Sequence, residues 1–177
     1  MKRCYNFLRE NVKDEESLKK ILGNCSYLVT NIKGSIYERY KLKYENVFYT
    51  YYDFRDSMDF SEDICKRVSF CGTTLYSMMQ FAVYMGITEI YLVGVDFSFR
   101  REISKNGKET INDNVCNHMN KMDQVNAGVY HVDLIMKGYI CAKRFCDEHG
   151  IKIYNATRGG KLEVFPRVDF DEVFGGM

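Results

Sequence analysis

The side chains best suited to chemistry fall at a handful of places in this chain of 177 residues. Cys71-Gly72-Thr73-Thr74 sets a permissive glycine and two hydroxyls ahead of an apolar-periodic stretch. Unpaired amides at a helix start, with Thr73 and Thr74 beside them, could cradle a phosphate. The same threonines also suit an ordinary N-cap. No lysine follows Gly72 at the spacing of a P-loop. Gly94-Val95-Asp96 closes a continuous apolar run, and Asn155-Ala156-Thr157 and Asn31 close two others. Gly94 would let a ligand approach the backbone and Asp96 would accept hydrogen bonds; relief of crowding and a turn cap are the alternatives. His118 and His131 carry imidazoles that titrate near neutrality and suit proton transfer. His149, beside Gly150, suits a cap that compensates a helix dipole.

Metal chemistry has less to draw on. Asp53/Asp56 and Asp169/Asp171 are acidic pairs that could hold a divalent cation, although Asp169 and Asp171 fit better as the acidic start of a helical turn. The three histidines lack HxH and HxxxH spacing. Seven cysteines, odd in number and without a CxxC pair, offer neither a zinc knuckle nor a disulfide framework. Cys4, Cys25, Cys65, Cys71, Cys116, Cys141 and Cys146 read as small buried hydrophobes in a reducing cytoplasm.

The elements that must position these groups alternate between helix and strand. Apolar spacing predicts helices over Glu15 to Leu22, Ser35 to Leu42, Thr74 to Met85 and about Asn126 to Glu148, with a last helical turn from Asp169 to Phe174. The central helix would bury Leu75, Met78, Met79, Ala82, Val83 and Met85, and the long one Val129, Val132, Ile135, Met136, Ile140 and Phe145. His131 would lie in the first turns of the latter. Strands are expected at Ser26 to Thr30, Asn46 to Tyr52, Glu89 to Asp96, Ile151 to Tyr154 and Leu162 to Phe165. Asp53 to Asp63 reads as an exposed loop, and Arg100 to Gln124 as a long polar one turning at Lys105 to Lys108. Apolar runs without alternation imply strands covered on both faces. The expected class is therefore α/β, a Rossmann-like and largely parallel sheet flanked by helices on both faces, in one domain over 1–177.

Hydrophobic residues make up 46% and charged residues 28%, which excludes overall disorder. Twenty-five basic against 24 acidic side chains leave a net charge of +1, no field for gripping nucleic acid or an anionic membrane. No apolar stretch is long enough to span a bilayer, and Arg9, Glu10 and Lys13 interrupt any signal core; a cytoplasmic protein is expected.

Three segments carry a family likeness. Glu89-Ile90-Tyr91-Leu92-Val93-Gly94-Val95-Asp96-Phe97-Ser98, then Gly150-Ile151-Lys152-Ile153-Tyr154-Asn155-Ala156-Thr157, then Gly159-Gly160-Lys161-Leu162-Glu163-Val164-Phe165 together resemble the MptE-like family. That family is named for an archaeal 6-hydroxymethylpterin diphosphokinase and includes motility-associated glycosyltransferase-like proteins. The central block is also similar to the bacterial sialyltransferases of glycosyltransferase family 42. The resemblance covers about Tyr27 to Phe174. It implies a nucleotide site formed by Gly72, Thr73, Thr74, Gly94, Asp96, Ser98, Asn155 and Thr157, with Cys71 to Thr74 and Gly94 to Ser98 opening on one crevice. His131 or His118 would be the general base.

Two departures accompany it. Ser98 stands where the sialyltransferases place an aromatic hydroxyl that helps the leaving phosphate. The family's amino-terminal Gly-x-Gly-Pro-Ser loop has no counterpart, since Pro166 is the sole proline. The chain is accordingly expected to lack the first strand-loop unit, as a fragment, a shortened paralogue, or a domain completed by another chain. The first expectation is a metal-independent, nucleotide-sugar-dependent transferase acting on a glycan or small-molecule acceptor. The alternatives are a diphosphokinase using ATP and Mg²⁺, with a flat-heterocycle pocket among Tyr49, Tyr51 and Tyr52, or a non-catalytic binding module. Exposed aromatics and an open sheet edge suggest a homo-oligomer.

Overall fold

The computed structural model describes residues 5–8, 16, 27–31, 47–53, 59–99, 101–103, 106, 108–111 and 131–176. The chain is α/β, with helices and strands interleaved; among the described residues the strands pair in parallel except in one hairpin. It divides into two compact units. One takes Met1–Ser57 and Ser61–Tyr84, the other Met58–Phe60 and Met85–Met177. Among the described residues no helix is long and apolar enough to cross a membrane.

In the first unit, β1 (Tyr5–Leu8), β2 (Tyr27–Asn31) and β3 (Val47–Thr50) form a parallel sheet in that order. Tyr5 registers with Tyr27, and Leu28 with Val47. A parallel crossover needs roughly a dozen residues, and 9–26 and 32–46 supply them. Sequence reading starts the strands at Ser26; β1 is an addition ahead of it, carried by only four residues, Tyr-Asn-Phe-Leu. The expected helices over Glu15 to Leu22 and Ser35 to Leu42 lie outside the described residues, apart from Glu16, which is helical.

The single strand expected over Asn46 to Tyr52 is two. After Tyr51 the chain enters β4 (Tyr52–Asp53), which pairs in parallel with β5 (Val68–Ser69) in a separate sheet. Tyr52, Ile64, Val68, Phe70 and Phe81 pack as a core around this pair. Asp53 is therefore not in an exposed loop. It is 1% exposed, and Arg67 reaches its carboxylate at 3.3 Å, the pairing that a buried charge requires. Phe60 and Ser61 are buried as well. Tyr52 belongs to the core rather than to a ligand pocket, and burial pushes its phenol up to about 12.

Helix α1 (Thr74–Tyr84) forms where expected but turns a different side inward. Tyr76, Ser77, Met79, Gln80 and Phe81 are buried, whereas Met78 and Met85 are exposed. The reason is polar. Gln80 Oε1 accepts the backbone N–H groups of Ser61 (3.1 Å) and Ser69 (2.9 Å). Its Nε2 donates to the carbonyls of Ser69 (2.8 Å) and Tyr76 (3.0 Å). One fully buried amide thus fastens the 60s loop and β5 to the helix. An apolar pattern read on its own has no way to place such a residue inward.

In the second unit, β6 (Glu89–Leu92) pairs in parallel with β9 (Lys152–Asn155), from Glu89↔Lys152 to Leu92↔Asn155. Helix α2 (Val132–Glu148) leads into β9 and buries Ile135, Gly138, Tyr139, Cys141, Ala142 and Cys146. Ile140, expected inside, is 54% exposed. Part of the stretch read as a loop is a hairpin. β7 (Arg101–Ile103) and β8 (Glu109–Ile111) are antiparallel around a turn at Asn106, within the Lys105 to Lys108 turn foreseen. The strand expected over Leu162 to Phe165 is absent. Leu162 and Phe165 are buried, yet the backbone bends between them and meets the sheet only later, at the parallel bridge Asn155↔Arg167. Pro166, which has no N–H to give to a ladder, adjoins that bridge. The final helix, α3 (Phe170–Phe174), has the acidic start expected of it, with Asp169 as its N-cap.

Cysteines 71, 141 and 146 are buried, and burial pushes the Cys146 thiol up to about 11. Cys65 departs from that reading: it is exposed, with its sulfur 3.1 Å from the Tyr84 hydroxyl.

Two outcomes follow for the first unit. Replacing Gln80 with leucine removes the side-chain amide that accepts from two buried N–H groups, and chemical denaturation should register a loss of about 2–4 kcal/mol. Tyr52 stays neutral in the fold while an unfolded tyrosine ionises near pH 10. Its contribution is present below pH 10 and lost as pH rises toward 12, by up to roughly 2–3 kcal/mol. Tyr52→Phe should flatten the fall in stability over that alkaline window.

Candidate functional site

Parallel strands that end side by side leave a rim at their carboxyl ends, and β6 and β9 end together at Leu92 and Asn155. Two segments leave this rim, Val93–Ser98 and Ala156–Lys161, and they are stitched to each other. Ala156 N–H donates to the Leu92 carbonyl at 2.9 Å. The Thr157 hydroxyl accepts from Val95 N–H at 2.9 Å and donates to the Leu92 carbonyl at 3.4 Å. Asn155 Oδ1 accepts from Thr157 N–H at 3.0 Å, and its Nδ2 donates to the Leu162 carbonyl at 2.9 Å. Asn155 is fully buried and Thr157 nearly so. Their side chains hold the loops in shape, and any ligand would meet what they position.

Three backbone positions define the rim's surface. Gly94 is left-handed at φ +75°, and a side chain there would meet nothing within 4 Å, so the peptide is open to approach. Gly160, at φ +83°, is required for contact. A Cβ at that position would lie 2.6 Å from Asp96 Cα and 2.7 Å from its carbonyl oxygen. Lys161 N–H then donates to that same carbonyl at 2.6 Å. Phe97 is a non-glycine residue in the left-handed region, φ 56°, a strain of about 1–2 kcal/mol. Its buried ring packs near Phe99 and Tyr139, at 5.2 and 5.9 Å between centroids, and Tyr139 continues to Phe165 at 5.8 Å. Ring burial holds the backbone in that turn. The result leaves Asp96 exposed, its Oδ1 accepting Ser98 N–H at 3.0 Å, and Ser98 half-buried.

Arg167 fixes the second segment from the opposite end. Its Nη1 donates to the carbonyls of Thr157 (3.2 Å) and Gly159 (2.7 Å), its Nη2 to that of Gly160 (3.1 Å), and its Nε to Glu163 (2.8 Å). Hydrogen bonding to Arg167 holds the Glu163 carboxyl below its ordinary range. Arg158 bonds Asp171 at 2.5 Å and lies over the Phe170 ring, 4.9 Å from its centre. Arg167 and the contact role of Gly160 were not singled out from sequence. The only hint was the Gly159-Gly160 pair, one residue past Asn155-Ala156-Thr157.

The structure thus brings together Gly94, Asp96, Ser98, Asn155 and Thr157. Gly72, Thr73 and Thr74 belong to the first unit. There Gly72 has φ +72°, and Thr73 Oγ1 accepts Leu75 N–H at 3.3 Å, the work of an N-cap for α1. His131 is exposed and sits one residue ahead of α2, not within its first turns. Its carbonyl accepts the N–H groups of Leu134 and Ile135, and its imidazole makes no capping bond. His118, Asp56 and the span 126–130 lie outside the described residues. His149 ends α2 as foreseen. Its Nδ1 is 2.7 Å from the Phe145 carbonyl, and its ring stacks on Phe145, which stacks on Phe60. Asp169 caps α3, accepting the N–H groups of Asp171 (2.8 Å) and Glu172 (3.0 Å), while Asp171 pairs with Arg158. Among the described residues no three His, Cys, Asp or Glu side chains gather as a metal site. No family model, curated protein or solved structure matches this chain.

The two rim glycines should separate in a denaturation experiment. Gly94→Ala incurs only the left-handed backbone cost, about 1–2 kcal/mol. Gly160→Ala adds a backbone clash with Asp96, and its midpoint should fall well below that of the Gly94 variant.

Proposed function

We propose that this chain is a glycosyltransferase-like protein that binds a nucleotide or nucleotide sugar at the carboxyl ends of β6 and β9. In this reading the strand pairs belong to a Rossmann-like sheet covered by helices on both faces. The observation that carries it is the open left-handed peptide at Gly94 followed by the exposed Asp96 carboxylate. A ribose and phosphate can lie against a backbone without side chains, and a carboxylate accepts hydrogen bonds from sugar hydroxyls. Support also comes from the likeness of the Glu89 to Ser98 segment to the family 42 sialyltransferases.

The chemistry is substitution at an anomeric carbon. The acceptor oxygen forms a bond to that carbon as the bond to the phosphate oxygen breaks, and the nucleoside monophosphate leaves with the electron pair. The acceptor's proton passes to an imidazole, that of His131 or His118. Charge builds on the departing phosphate, so donors aimed at it lower the barrier. Ser98 is assigned to the leaving group's surroundings, with no metal given a step.

Calorimetry with CMP-sialic acid and with other nucleotide sugars tests the reading. Saturable binding is expected, and Asp96→Ala should weaken it about tenfold or more, as loss of a hydrogen bond to a charged group does. No heat with any nucleotide sugar would end the proposal. Magnesium-dependent ATP binding with pterin-stimulated release of AMP would replace it with the diphosphokinase alternative.

A further inference from the structure

We infer that Tyr139, on α2, is a positioning residue for the rim: through Phe97 it holds Asp96 where a ligand would meet it. This deepens the proposed nucleotide reading, on which it rests only for the identity of that ligand. Phe97, at φ 56°, is the one non-glycine residue of positive φ among the described residues. An L residue enters the left-handed region roughly tenfold less readily than the right-handed one, and phenylalanine has no short polar side chain to offset the difference. Something outside the backbone must select the turn, and the ring supplies it. The Phe97 ring is 9% exposed and lies 5.9 Å from that of Tyr139, which is 3% exposed. Tyr139 rests in turn against the buried Phe165, at 5.8 Å.

Asp96 is held from a second direction as well. Gly160 packs on its backbone, and Lys161 N–H donates to its carbonyl at 2.6 Å. Returning Phe97 to the right-handed region would turn φ through about 120°. That rotation cannot keep both the ring against Tyr139 and the Asp96 backbone against Gly160. While the ring stays in place the turn persists, with Asp96 exposed and its Oδ1 accepting Ser98 N–H at 3.0 Å. Once the ring is released the turn becomes a minority state. A ligand that needs the turn then binds more weakly in proportion to the fraction left, about tenfold. In this way α2 governs the rim without touching what binds there.

Phe97→Ala and Phe97→Gly delete the same ring, but glycine enters the left-handed region freely and alanine does not. Two readouts on the full chain compare them: hydrogen exchange of the Lys161 amide, which needs no ligand, and calorimetry with CMP. Phe97→Ala should lower both Lys161 protection and CMP affinity about tenfold, while Phe97→Gly stays within about threefold of the unaltered chain. Tyr139→Leu should move both readouts as Phe97→Ala does, and Tyr139→Phe, which keeps the ring, should move neither. Should Tyr139→Leu fail to fold, Tyr139→Met is read in its place. A glycine variant that loses as much as the alanine variant overturns the inference. So does a folded Tyr139→Leu or Tyr139→Met that keeps Lys161 protection and CMP affinity; CMP binding to the unaltered chain then leaves the nucleotide reading in place. Exchange in the expected order, with neither CMP nor any nucleotide sugar bound, sustains the hold of Tyr139 on Asp96 and removes that reading.

Discussion

A buried amide side chain has two polar ends and no water to satisfy them, and Asn155 answers that constraint with the chain around it. Its Oδ1 takes the N–H of Thr157 and its Nδ2 gives to the Leu162 carbonyl, while its backbone accepts from Val168 and donates to Pro166. The end of β9, the loop after it and the segment around Arg167 are bound through one residue. Thr157, set by that arrangement, then holds Val95, and through Val95 the turn that presents Gly94 and Asp96. Whatever happens at the rim happens on a surface whose shape originates beneath it.

Gln80 does for the first unit what Asn155 does for the second. Each is a fully buried primary amide at the foot of a parallel strand pair, and each satisfies backbone groups that the short strands leave over. Strands of two to five residues provide few ladder bonds of their own. Side chains with both a donor and an acceptor supply the remainder, which fits the general pairing of buried backbone polar groups. Arg167 extends the pattern to the surface, where five fixed donors can gather several carbonyls that a lysine's point charge would not.

Sequence revealed the elements whose signal is hydrophobic and local. The helix beginning at Thr74, the apolar strands at Glu89 and Lys152, the His149 cap and the Asp169 cap all follow from spacing or from one residue's chemistry. It was least informative where burial is polar. Asp53 and Ser61 looked like loop residues because charge and hydroxyl groups ordinarily face water, and their partners include the distant Arg67 and Gln80. Likewise Leu162 and Phe165 are apolar and buried without forming a strand, because the adjoining backbone is claimed by Asn155 and interrupted at Pro166. Of the site, the strand-end residues were legible. The division of labour was not: Asn155 and Thr157 face inward as fasteners, while Gly160 and Arg167 shape the surface.

The pairing of β6 with β9 has a consequence in time. The bond joining Val95 to Thr157 spans 62 positions of chain. During synthesis β6 emerges well before its partner, with apolar residues such as Ile90 and Leu92 and half its backbone groups awaiting a strand not yet translated. Closure entropy must be met before any ladder bond forms, which makes long-range parallel pairing slow. The rim, assembled from both ends of that interval, consequently takes shape only after β9 has been made.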